Sequence, residues 1–164
     1  FHPRRSARRK RYRYVFHDGP HRDPFRRRVA WHVYPRLNEA AMHAAARAWS
    51  GRHDFRAFET AGSPRRSTVR TVFASEVTRG TGHEADLVCF EIEADGFLYN
   101  MVRAMAGTLR EIGRGAAPPE WAAEVLASGD RSAAGMTAPP EGLHLVRVEY
   151  AGEGDPPPDD DPPS

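Results

Sequence analysis

A chain of 164 residues, 40% hydrophobic and 10% aromatic, is long enough for one domain with its own core and too apolar for a disordered protein. No apolar run approaches membrane-spanning length, no segment has the basic-then-apolar pattern of a secretory leader, and the single cysteine, Cys89, excludes an internal disulfide and a cysteine-built zinc site. These features point to the cytoplasm, and the formal net charge of +2 conceals an asymmetry: half of the 24 basic residues fall in residues 1–36, against only Asp18 and Asp23.

A basic block of that kind attracts phosphates by Coulomb steering and counterion release, so nucleic acid is the first partner to consider. Clustering carries the argument rather than arginine identity. Lys10 is the only lysine, and the abundance of Arg, Ala, Gly and Pro matches a GC-rich coding bias.

In chain order, Arg11-Tyr12-Arg13-Tyr14-Val15-Phe16 alternates as a strand with one cationic and one aromatic face. Residues 17–29, with Asp18-Gly19-Pro20 and Asp23-Pro24, read as an irregular basic loop. Asn38 caps an Ala-rich helix from Glu39, with Met42, Ala45, Ala46 and Trp49 on one face and Gly51 as its stop. Gly51 to Ser67 shows no period and reads as a long functional or mobile loop. Thr68–Thr78 and Asp86–Glu93 alternate as a hairpin turning at Gly80–Glu84. From Phe97 the spacing becomes helical, with Leu98, Met101, Val102, Met105, Leu109 and Ile112 in one stripe ended by Gly113. Pro118-Pro119 opens a short helix carrying Trp121 and Val125 and closing at Gly129, and Leu143–Tyr150 is the last strand. Residues 1–150 therefore form one domain, and residues 151–164 a disordered, acidic, Pro-rich tail. The order predicts an α+β fold of the ferredoxin-like, split βαβ kind: an antiparallel sheet with helices on one face and the other face free.

Such a fold serves many purposes, so function must come from particular residues. A series of short words stands in order: Phe1-His2-Pro3-Arg4-Arg5, Arg11-Tyr12-Arg13-Tyr14, His53-Asp54-Phe55-Arg56-Ala57-Phe58, Arg70-Thr71, Gly96-Phe97-Leu98-Tyr99-Asn100-Met101-Val102-Arg103, and Glu141-Gly142-Leu143-His144-Leu145. Together they resemble the TruA-type tRNA pseudouridine synthases over residues 1–150, the FLYNMVR word being the most specific. The resemblance implies the C-terminal half of a pseudouridine synthase fold, isomerisation of uridine in the anticodon stem-loop of tRNA, no metal or organic cofactor, and a homodimer. It also implies that the catalytic aspartate, in a GRTDxGVHA-like word that this sequence lacks, lies upstream of Phe1. The chain is then a truncated portion, inactive alone.

The chemistry needs a flipped uracil, a surface to hold it once detached and control of charge. By the resemblance Tyr12 packs against the uracil and can take a proton, Arg103 pairs with the catalytic aspartate and keeps it ionised, and Leu143 walls the pocket. On spacing alone, Tyr12 reads equally as an ordinary strand aromatic, Arg103 as a solvated helix arginine and Leu143 as a core leucine. The resemblance gives tRNA contacts to Phe1, His2, Pro3, Arg4 and Arg5 and to Gly62, Ser63, Pro64, Arg65 and Arg66, arginines on irregular backbone. Arg8–Lys10 and Arg26–Arg28 keep the plainer reading of a solvated face, Cys89 that of a small buried apolar residue, and His43 that of an exposed helix residue. Two other readings compete. A noncatalytic RRM-like module shares the element order but wants an RNP aromatic run that the third strand lacks, and a pure dimerisation domain would leave FLYNMVR without a use.

Overall fold

The computed structural model describes residues 7–60 and 67–152. Strand β1 (Ala7–His17) is followed by a basic loop, a two-residue strand β2 (Trp31–His32) and helix α1 (Glu39–Arg47). Then come β3 (Gly51–Asp54), β4 (Val69–Arg79), β5 (Leu87–Ala94), α2 (Met101–Gly113), α3 (Trp121–Ser128) and β6 (Leu143–Tyr150). The six strands form one open sheet in the order β2-β1-β5-β4-β3. β6 lies antiparallel along Ala7–Tyr14 of β1, while β2 pairs in parallel with its end at Phe16 and His17.

The expected α+β architecture is present, with corrections at the edges. Gly51 does not stop α1, which ends at Arg47; at φ +100° it turns the chain into β3. The aperiodic stretch from Gly51 to Ser67 is not all loop: Gly51–Asp54 pairs antiparallel with Val69–Val72 of β4. An exposed edge strand reading Gly-Arg-His-Asp has no apolar face to betray it. Helix α2 starts at Met101 rather than Phe97, because Asn100 takes a left-handed backbone (φ 60°) that breaks the helical path. The Asn38 cap forms as expected, its Oδ1 accepting from the Ala41 amide at 3.1 Å.

Alternation along β1 and β5 sorts the two sheet faces. Tyr14, Phe16, Phe90, Ile92 and Val88 point to the helices. There they join Met42 and Trp49 from α1 and its end, and Met101, Met105, Leu109 and Ile112 from α2, in one continuous core. Each such side chain contributes about 1.5–3 kcal/mol on burial. Trp49 is fully buried and donates from Nε1 to the Ala122 carbonyl at 3.1 Å, fastening α3 to α1. A Cβ on Gly107 would run into the Met136 carbonyl, so α2 backs directly onto the segment after α3.

On the other face Arg11 and Arg13 stand across from Glu93 and Glu91. Arg11 donates to Glu91 at 2.9 and 2.6 Å and to Glu76 at 2.8 Å, and Arg147 reaches Glu93 at 2.7 Å. Burial raises the Glu91 and Glu93 carboxyls, but these guanidinium contacts outweigh it and hold both below the ordinary range. Part of the basic block is therefore neutralised inside the sheet. Cys89, expected to be buried, is only half-buried on this face. His43 is half-buried rather than exposed, its Nδ1 accepting from the Val77 amide at 3.1 Å.

Candidate active site

The aromatic column of β1 runs out of the core at Tyr12. Tyr14 is fully buried and donates to the Pro139 carbonyl at 2.6 Å. Burial lifts its phenol well above the ordinary range, Glu141 adding and Arg103 opposing, so Tyr14 is a fixed donor. Tyr12, one step outward between Ile92 and Leu145, is half-buried and meets Phe97 edge-on with centroids 5.0 Å apart.

Leu143 is set beside this pair by the short helical turn Pro140–Gly142. The Gly142 backbone lies against the Tyr14 ring, where a Cβ would come within 2.6 Å of Cζ. That close approach places Leu143 opposite Tyr14 at the start of β6. Arg103, on the first turn of α2, donates from Nε to the Ala138 carbonyl at 2.7 Å and from Nη1 to Asn100 Oδ1 at 3.1 Å. The Ala138 carbonyl is available because its segment is pinned to α2 by Ala138 N to Arg103 O at 2.9 Å and Gly135 N to Thr108 Oγ1 at 3.0 Å.

Tyr12, Arg103 and Leu143 thus line one open cleft of about 270 Å³, with Lys10, Phe97 and Asn100. Its chemistry is that of a holder: an aromatic pair, an apolar wall and a half-buried cation. Among the described residues no carboxylate lines it, and Arg103 makes no ion pair. A half-buried guanidinium with an unused Nη2 is a seat for an incoming anion. Spacing did not single out Phe97 as the partner of Tyr12, nor Asn100 as the partner of Arg103. Asparagine's tolerance of left-handed backbone is the one sequence hint for the latter.

The expected RNA-contact residues Phe1–Arg5 and Gly62–Arg66 lie outside the described residues. Within them, the loop after β1 is firmly anchored. Asp18 pairs with Arg79, and Arg26 bridges Asp86 and the His83 carbonyl. Arg22, Arg27 and Arg28 make no ion pair among the described residues and remain exposed. Among the described residues no three His, Cys, Asp or Glu side chains gather as a metal site, and no helix is long and apolar enough to cross a membrane.

Residues 45–151 match the family model described as tRNA pseudouridine synthase. The chain belongs to this family. The match takes in Arg103, Leu143 and the whole of α2, while Tyr12 lies ahead of it. A relative from Syntrophotalea carbinolica named tRNA pseudouridine synthase A is 46% identical over 151 residues, covering 92% of this chain and 58% of the relative. Proteins of the same name from Thermoanaerobacter sp. and Myxococcus xanthus are 43% and 46% identical over 150 residues, again covering 92% of this chain, and 60% and 56% of their own lengths. The chain therefore spans a little over half the length of these relatives.

Proposed function

We propose that the cleft holds the target uracil of a tRNA pseudouridine synthase acting in the cytoplasm on the anticodon stem-loop, and that the catalytic carboxylate comes from outside these 164 residues. One observation carries the reading: Arg103 is held at two nitrogens and half-buried, with no carboxylate partner among the described residues, beside an aromatic pair. Isomerisation breaks the bond from the ribose to N1, turns the ring, forms a bond to C5, moves the C5 proton off and leaves N1 protonated. Tyr12 and Phe97 would hold the detached ring and Leu143 would exclude water from one side, with the Tyr12 hydroxyl in reach of a migrating proton. Arg103 would pair with the incoming aspartate, keeping it ionised and aimed. Arg22, Arg27 and Arg28 join Phe1–Arg5 and Gly62–Arg66 as contacts to tRNA phosphates. A homodimer goes with the family reading, and the sheet face without helices offers it a surface.

An RRM-like module would expose stacking aromatics on the open face of its central strands. Here that face carries Arg11, Arg13, Glu91 and Glu93, already bound to one another. The test is release of tritium from tRNA labelled at uracil C5. The isolated chain is expected to bind tRNA and release none, and fusion to a GRTD-bearing N-terminal synthase segment is expected to start release. A folded, tRNA-binding fusion that releases none would overturn the reading.

A further inference from the structure

Among the described residues Asn100 is the one non-glycine with a left-handed backbone, at φ 60° and ψ 14°. That conformation costs an L side chain energy, and asparagine bears it better than most. Asn100 sits at the N-cap of α2, where such a side chain ordinarily accepts from an amide of the first turn; it makes no such bond. Its carboxamide is used at both ends elsewhere. Oδ1 accepts from Arg103 Nη1 at 3.1 Å, and Nδ2 donates to Thr60 Oγ1 at 3.1 Å. The backbone repeats the second link, the Thr60 amide donating to the Tyr99 carbonyl at 3.1 Å.

We propose that Asn100 is a positioning residue, whose carboxamide fixes the plane of the Arg103 guanidinium and ties it to Thr60. A guanidinium held only at Nε, by the Ala138 carbonyl, can swing about that bond; a second hold at Nη1 fixes its plane, and with it the direction of Nη2, on a side chain that lines the cleft. Planar recognition of a carboxylate needs such a fixed fork, and a misplacement of about 1 Å in a reacting group costs on the order of a hundredfold in rate. In this left-handed conformation the carboxamide serves Arg103 and Thr60 rather than the helix amides, so the strained residue and the held arginine are one device. Thr60 immediately precedes residues 61–66, so the same carboxamide joins the cleft to the root of that arginine-bearing segment.

The consequence for turnover rests on the uracil-pocket reading; the consequence for Arg103 does not. Asn100→Gly keeps the backbone conformation and removes the carboxamide. In the 164-residue chain it is expected to leave the melting temperature within a few degrees of the parent, relief of the left-handed strain offsetting the lost hydrogen bonds, while solvent exchange of the Arg103 Nη protons, followed by NMR, speeds up about tenfold, the loss of one hydrogen bond to a charged group. In the fused enzyme it is expected to lower kcat about tenfold with KM within about twofold, the pattern of a contact made in the transition state. Should Asn100→Gly lower the melting temperature, Thr60→Val, which leaves the Asn100 backbone intact, is expected to speed the same exchange. Parent-like exchange in both variants overturns the proposal, as does parent-like kcat in an active fusion. A parent fusion without turnover would instead count against the uracil pocket, and the exchange measurement would still decide what Asn100 does.

Discussion

Arg79→Met is the substitution whose cost follows most directly from the geometry. Asp18, the first residue after β1, has a fully buried side chain. It accepts from Arg79 Nη1 at 3.0 Å and Nη2 at 2.8 Å, and from the Leu37 amide at 2.8 Å. Arg79 also donates to the carbonyls of Leu37 and Ala85 and to Glu39, so one guanidinium ties the ends of β1 and β4 to the approach of α1. Methionine keeps most of the stem volume and leaves the carboxylate with a single amide donor. Breaking a buried pair from one side costs about 3–5 kcal/mol. For a domain of this size each kcal/mol moves the melting temperature by about 2–4 °C, giving a drop of roughly 6–20 °C. Urea titration should show the midpoint falling at constant slope. The cost should also depend on pH. Burial raises the Asp18 carboxyl, but the Arg79 hydrogen bonds and the Leu37 amide outweigh it, so its folded pKa lies below the ordinary 3.8. Its contribution is therefore complete above that value and is lost as pH falls through the folded pKa. The gap between variant and parent should narrow in that acid range, and a variant within about 1 kcal/mol of the parent at neutral pH would refute the reasoning.

Three further outcomes follow from the same geometry. Asp18, Glu39, Asp86, Glu91, Glu93 and Glu111 all have folded pKa values below their ordinary ones, so the stability of the parent should hold at neutral pH and decline below about pH 4 by thermal scan, whereas a maximum near pH 3 would contradict the ion-pair assignments. Gly107→Ala should cost about 1–3 kcal/mol, because the new Cβ meets the Met136 carbonyl and α2 must lift; unchanged stability would show that this packing is loose. The double change Arg22→Ala with Arg27→Ala should flatten the salt dependence of tRNA binding by up to about two units of log–log slope, while Arg13→Ala, whose charge is held by Glu91, should leave it within about half a unit; equal effects would remove the distinction between free and paired arginines.

Elements that carry their own period were legible from the residues alone. The β4–β5 hairpin and the Leu98–Ile112 stripe needed no tertiary information, because apolar residues recur at strand or helix spacing. β2 and β3 were not legible: two residues beside the end of β1, and an exposed Gly-Arg-His-Asp, become strands only when a neighbour offers free backbone groups. Charge was misleading for a related reason. Arg11 and Arg13 look like a phosphate-seeking patch until the β1–β5 register puts Glu93 and Glu91 opposite them, and register is a long-range property. In the cleft, Tyr12, Arg103 and Leu143 could be named from family words. That Phe97 lies edge-on to Tyr12, and that Asn100 turns left-handed to hold Arg103, depends on backbone geometry no spacing encodes.

The uracil pocket is tested most directly by measuring turnover and tRNA affinity on the same proteins. With a GRTD-bearing segment fused ahead of Phe1, Arg103→Ala and Tyr12→Ala are each expected to abolish tritium release from C5-labelled tRNA. Each should leave the tRNA dissociation constant within about threefold, because phosphate contacts made elsewhere dominate affinity. Tritium release by the Arg103→Ala fusion at the parent rate would contradict the role given to that arginine and, with it, the assignment of the cleft.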